Sequence, residues 1–141
     1  MINELEASQI SSIPLRDGED RVITENLSAA CEKLIEMGVR RWAVIHMPEL
    51  SCGLERGGRF TLEESWQIPA DFIKSSVGAG DAFASGILYG AYHNWSLERS
   101  IHIAGAIGAY SLSGDGACDS IIALSELIRD MERMPRLRIS P

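Results

Sequence analysis

The feature that most constrains this chain is a helix that runs directly into a buried strand. Leu27, Ala30, Cys31, Leu34 and Ile35 recur at i, i+3, i+4, i+7 and i+8, one face of an amphipathic helix. Thr24 stands where an N-cap belongs, and Gly38 stands where a left-handed C-terminal stop belongs. Val39 to Met47 then reads as a strand, with Trp42-Ala43-Val44-Ile45 as an unbroken apolar run. Such a run suits a strand covered on both faces. Helix followed by buried strand is half of an α/β unit, so the expected fold is a layered, mostly parallel sheet with flanking helices.

The remaining segments fit that class. Residues 1–24 read as polar and irregular, with a turn around Arg16-Asp17-Gly18-Glu19-Asp20. Pro48 ends the buried strand, Gly53 and Gly57-Gly58 mark turns, and Arg59 to Ile68 reads as one or two short strands. Ala82 to about His93 reads as a helix. Its small residues, among them Ala82, Gly86 and Gly90, imply a backbone packed close to a neighbour. Ser96 is placed to cap a further helix with Leu97, Ile101, Ala104, Gly108 and Leu112 on its apolar face. Ser113 to Ala117 is a second glycine-rich loop. Ile121, Leu124, Leu127, Ile128 and Met131 place a last helix on one face, and residues 134–141 read as a frayed tail.

Composition narrows the function classes. The 141 residues suggest one domain. Thirteen Lys and Arg against 20 Asp and Glu give a net charge of −7, which is no footprint for nucleic acid. No run approaches the roughly 20 apolar residues of a membrane span. Met1 to Glu6 lacks the basic start and apolar stretch of a secretory leader. Cys31, Cys52 and Cys118 form no CxxC pair, so neither a metal site nor a disulfide framework is expected, and the cytoplasm is the expected compartment. Trp42, Trp66 and Trp95 read as packing residues, and His93 and His102 have no partner at metal-ligand spacing.

Chemistry concentrates in Gly78-Ala79-Gly80-Asp81 at a helix start. Two glycines let the backbone turn tightly and approach a ligand. The first helix amides lack intrahelical partners and, with the helix dipole, form an anion site. An ionised carboxylate beside such a site suits a general base, which takes a proton from an attacking hydroxyl while the amides stabilise the transferred group. Asp is also a favoured N-cap, and the tetrapeptide alone is read first as a cap. Phe83 excludes a Gly-x-Gly-x-x-Gly dinucleotide fingerprint, and a Gly-Lys-Ser/Thr P-loop occurs nowhere.

The wider string reverses that order. Val77-Gly78-Ala79-Gly80-Asp81-Ala82-Phe83-Ala84-Ser85-Gly86-Ile87-Leu88-Tyr89-Gly90 closely resembles the C-terminal signature of the ribokinase-like (PfkB) carbohydrate kinases. Asn3-Glu4-Leu5-Glu6 resembles that family's Asn-x-x-Glu motif, Ile103 to Leu112 its small-residue helix beside the adenine, and Gly116-Ala117-Cys118-Asp119-Ser120 its Gly-Ala-x-x-Ser loop. The resemblance covers only the C-terminal half of the family's fold, so the expected ribokinase-like (Rossmann-like) sheet is incomplete. It assigns residues 1–133 to the nucleotide-binding and catalytic-base portion and 134–141 to the tail.

The resemblance implies a phosphotransferase part that moves the γ-phosphoryl of ATP to an alcohol group of a sugar or similar small acceptor. Asp81 would be the base, and the amides of Gly78, Ala79 and Gly80 the anion hole. Asn3 and Glu6 would help hold a magnesium–water–phosphate network, with Mg2+ arriving with ATP and no direct metal ligand assigned. Gly116 and Ser120 would sit in a nucleotide or cation loop. Two departures stand out. Ser75 replaces the acid that usually contributes to a monovalent-cation site, which weakens that site. His46-Met47-Pro48-Glu49-Leu50-Ser51 replaces the Thr-x-Gly-x-x-Gly after the central strand, where His46 stands in for the threonine or is simply structural. A sheet lacking its first strands would expose an edge, so self-association is expected. The alternative reading is a non-catalytic nucleotide-binding or interaction module, because the acceptor-binding half is absent.

Overall fold

The structure, a computed structural model, describes residues 1–139; Ser140 and Pro141, the last two residues of the tail, lie outside the described residues. The packing divides into two compact units, Met1–Glu63 and Glu64–Ile139.

The first unit holds β1 (Ile2–Asn3), α1 (Glu4–Ser11), α2 (Leu27–Glu36), β2 (Trp42–His46) and β3 (Leu50–Glu55), and ends in β4 (Phe60–Glu64). The sheet order is β1-β2-β3-β4. The apolar run behaves as its composition dictates: Trp42 to Ile45 are all buried, Val44 and Ile45 almost completely. Removal from water of the Val44 and Ile45 side chains contributes about 1.5–3 kcal/mol each. α2 lays Leu27, Ala30, Cys31 and Leu34 against β2 and β3. It ends at Glu36, and Gly38 follows at φ +118°, its amide bonding the Ile35 carbonyl at 3.1 Å.

Several expectations need correction here. The sheet is not mostly parallel: β1 pairs parallel with β2, but β2 pairs antiparallel with β3. Only Met47–Glu49 join those strands, too short for a parallel crossover. Gly53 is not a turn residue; it lies buried in β3 opposite Val44. Thr24 does not cap α2. It opens a single 3-10 turn (Thr24–Asn26), and α2 begins without a side-chain cap. The irregular N-terminus contains α1, which carries little amphipathic pattern and is started by a capping box: Asn3 Oδ1 accepts from the Glu6 amide at 2.8 Å, and Glu6 Oε2 accepts from the Asn3 amide at 3.1 Å.

The second unit holds α3 (Ala79–Tyr92), α4 (Leu97–Ser111) and α5 (Leu124–Met131). Ser96 caps α4 as its position predicts, with Oγ accepting from the Arg99 amide at 3.2 Å. α3 and α4 approach backbone to backbone: a Cβ on Gly86 would stand 2.6 Å from Ala104 Cα, and one on Gly90 would stand 2.7 Å from Ser100 Cβ. α5 is shorter than the apolar spacing suggests. Leu127 and Met131 are buried, but Ile121 precedes the helix and is exposed. Trp66, Ala106, Leu127 and Met131 form a buried cluster. The tail is pinned rather than frayed as far as Ile139: Trp66 and Arg136 form an antiparallel bridge, and the Leu137 amide bonds Ser65 O at 2.8 Å.

Candidate functional site

Gly78 is the N-cap of α3, at φ +83°, a left-handed conformation that L side chains rarely adopt. It also has no room for one, since a Cβ there would stand 2.7 Å from Ala117 Cα. The two glycine-rich loops singled out in the sequence therefore touch at this point. Lys74 N bonds Leu112 O at 2.8 Å, which ties the approach to α3 onto the end of α4.

Asp81 is the third residue of α3 and is exposed. It is not the cap: the cap position is Gly78, and no side chain caps this helix. Among the described residues, its carboxylate accepts no hydrogen bond. Of the three amides assigned to the anion hole, that of Ala79 bonds Ser76 O at 3.3 Å. The amides of Gly78, Gly80 and Asp81 bond no carbonyl among the described residues, so donors remain at the positive end of the helix.

Asp81 stands at the edge of a cavity of about 580 Å³. Asp81, Ala82, Ser85 and Tyr89 of α3 form one wall, and Ile103, Ile107, Tyr110 and Ser111 of α4 another. Ala117, Cys118, Ser120, Ile121 and Ile122 of the second loop, with Leu124 and Leu127 of α5, complete it. A largely apolar lining beside open amides suits a ligand with a flat apolar end and an anionic end. Ser120 Oγ donates to Ser111 O at 3.3 Å. Gly116 O accepts from the Asp119 amide at 3.4 Å, closing the turn.

Asn3 and Glu6 belong to the first unit, at the junction of β1 and α1. Their capping box engages Asn3 Oδ1 and Glu6 Oε2 and leaves Asn3 Nδ2 and Glu6 Oε1 without a protein partner among the described residues. His46, at the end of β2, is in register with Asn3. Burial lowers the pKa of its imidazole, with Glu4 and Glu6 pulling the other way. No group of three or more His, Cys, Asp or Glu among the described residues is placed to hold a metal ion. No helix among them is long and apolar enough to cross a membrane.

Residues 1–124 match the family model described as pfkB family carbohydrate kinase. The chain belongs to that family. It is 27% identical over 109 residues to an uncharacterized sugar kinase of Archaeoglobus fulgidus, covering 77% of this chain and 42% of that protein. It is 36% identical over 61 residues to one of Dictyostelium discoideum, covering 43% of this chain and 17% of that protein. An Arabidopsis thaliana ribokinase solved with ribose and ATP superposes with a TM-score of 0.72 at 21% identity, over 93% of this chain and 40% of that one. A Thermotoga maritima ribokinase gives 0.69 at 20% identity, over 93% and 41%. The pfkB chain thus spans less than half the length of these relatives, and it shares the α/β ribokinase-like fold of the solved ones. The family's Asn-x-x-Glu doubles here as a helix-start signature, a signal legible in the sequence without any resemblance. The cavity walls on α4 and α5 were harder to see, because their residues read equally well as core.

Proposed function

We propose that this chain is the nucleotide-binding, catalytic-base portion of an ATP-dependent phosphotransferase acting on an alcohol group of a sugar or related small molecule. The observation that carries the reading is the exposed Asp81 carboxylate, unspent on capping, beside unbonded helix-start amides at the edge of a largely apolar cavity. The apolar walls suit a purine, and the amides of Gly78, Gly80 and Asp81 suit phosphoryl oxygens. Asp81 takes the proton of the acceptor hydroxyl as its oxygen attacks the γ-phosphorus. The new P–O bond forms, the bond to the bridging oxygen breaks, and its electron pair leaves with ADP. Positioning and charge stabilisation supply most of the acceleration.

Mg2+ bound with ATP would neutralise phosphate charge. It needs few protein ligands because it keeps much of its water shell. The capping box leaves Asn3 Nδ2 and Glu6 Oε1 unengaged among the described residues, and it is the resemblance to the family's Asn-x-x-Glu motif that assigns these two residues to the magnesium–water–phosphate network. Ser75 in place of a carboxylate leaves little basis for potassium activation. The three free cysteines fit a reducing compartment such as the cytoplasm.

Calorimetry of the 141-residue chain with Mg2+ and a non-hydrolysable ATP analogue tests the binding half of this reading; no heat of binding would refute it. In an intact kinase carrying this segment, release of ADP that depends on a sugar acceptor tests the rest. A second reading is a nucleotide-binding module without turnover. It expects the heat of binding without acceptor-dependent ADP release.

A further inference from the structure

We propose that Arg136 is a positioning residue that latches the C-terminal segment over Trp66 and thereby holds the α5 wall of the cavity in place. The proposal rests on the nucleotide-site reading for its functional consequence, and on geometry for the latch itself. The guanidinium of Arg136 lies 3.4 Å from the ring centre of Trp66. Its Nη1 donates to Glu64 O at 2.7 Å, and its Nη2 lies 2.9 Å from His102 Nδ1. Beyond it, the Ile139 amide donates to Glu64 Oε1 at 3.0 Å. Four elements are thus joined through one side chain: the end of β4, the Trp66 segment, α4 and the C-terminal segment.

The cluster beneath Trp66 is also the back of the cavity. Leu127 belongs to both, and Ile107, Tyr110, Ile122 and Leu124 pack on the cluster and line the cavity. Movement of the latch therefore reaches the cavity wall through packed side chains. The Trp66 indole N–H is buried without a hydrogen-bond partner among the described residues, so the ring is held by packing and by the cation above it.

The chemistry of the pair gives a signature that mere packing would not. Guanidinium nitrogens only donate, so in this contact His102 Nδ1 is the acceptor. Beside Arg136, Glu132 from the residues after α5 shares a small void with His102. Glu64 contributes its carbonyl to Arg136 from the end of β4.

The test is amide hydrogen exchange by NMR on the full chain, read as protection factors for Leu127–Met131, with the Trp66 indole proton as a second reporter. Arg136→Ala is expected to lower protection about tenfold, the scale of one lost hydrogen bond to a charged group. His102→Ala removes the acceptor and is expected to lower protection in the same direction, whereas His102→Gln, which keeps an uncharged acceptor, should retain most of it. Arg136→Lys keeps the charge but loses the planar fork, so its protection should lie between the two; if Arg136→Ala does not fold, this variant decides. Unchanged protection in the Arg136 variant that folds, or in His102→Ala, overturns the latch. The affinity for the Mg2+–ATP analogue should weaken by a similar factor in the Arg136 variants. Affinity that does not move overturns the coupling to the cavity. An unaltered chain that binds no analogue defeats the nucleotide reading instead, while the exchange data still decide the latch.

Discussion

Gly78 and Ala117 lie in contact so close that a Cβ on the glycine would stand 2.7 Å from the Cα of the alanine. This contact joins the loop that opens α3 to the loop that follows α4, and it fixes the helix start where the unbonded amides are presented. Gly78→Ala meets both this obstruction and a backbone at φ +83°. It should destabilise the chain by about 1–3 kcal/mol and weaken nucleotide binding. Urea denaturation with calorimetry on the same variant checks it; unchanged stability would show that the loops part without cost.

Asp81→Asn should separate chemistry from folding. The carboxylate is exposed and makes no hydrogen bond among the described residues, so stability should change by no more than about 0.5 kcal/mol. Turnover of an intact kinase carrying the segment should fall by about 10²–10⁴, the usual worth of a general base. Retained turnover would remove Asp81 from the mechanism.

Gly86→Ala runs against intrinsic helix propensity. In an open helix the change would stabilise by up to about 1 kcal/mol. Here the added methyl meets Ala104 Cα at 2.6 Å, so overpacking should win and cost about 1–3 kcal/mol. A thermal melt that rises instead would mean the α3–α4 contact gives way easily.

Glu49 links folding to pH. Arg16 Nη1 and Nη2 each donate to its carboxylate at 2.9 Å, and that pairing holds its pKa below the ordinary value. A depressed folded-state pKa contributes stability above the unfolded value of about 4.3, and that contribution is lost as pH falls through the lower folded value. Since the Glu49 side chain is 38% exposed, solvent screening limits the effect to a fraction of a kcal/mol, on the order of 0.5. Glu49→Gln should flatten the acid limb of a stability–pH curve; an identical limb would sink the assignment.

β1 is a two-residue strand that, among the described residues, pairs only with β2, and Leu5 and Ile10 of α1 are exposed beside it in sequence. An open edge with apolar neighbours favours pairing with another copy. Sedimentation velocity should show an average mass that rises with concentration. A monomer at every concentration would refute self-association.

The buried strand, the Gly38 stop, the Ser96 cap and the close-packed glycines of α3 were all legible because each depends on neighbours within a few residues. The antiparallel β2–β3 pair was not: Leu50–Glu55 contains a glycine and follows a proline, and local chemistry there resembles a turn. α1 escaped notice because its cap, rather than an apolar stripe, starts it. Gly78-Ala79-Gly80-Asp81 was legible as a helix start, but Asp81 could equally have been its cap.

The residue order by itself determined which backbone stretches coil or extend and where a helix begins with glycines and an acid, since torsional preference and side-chain spacing are local properties. Only the tertiary structure decided that Gly78, not Asp81, occupies the cap, that the Ala117 loop closes on it, and that Arg136 folds back onto Trp66. Those outcomes depend on excluded volume and partner geometry between residues up to seventy positions apart, and no local pattern carries that information.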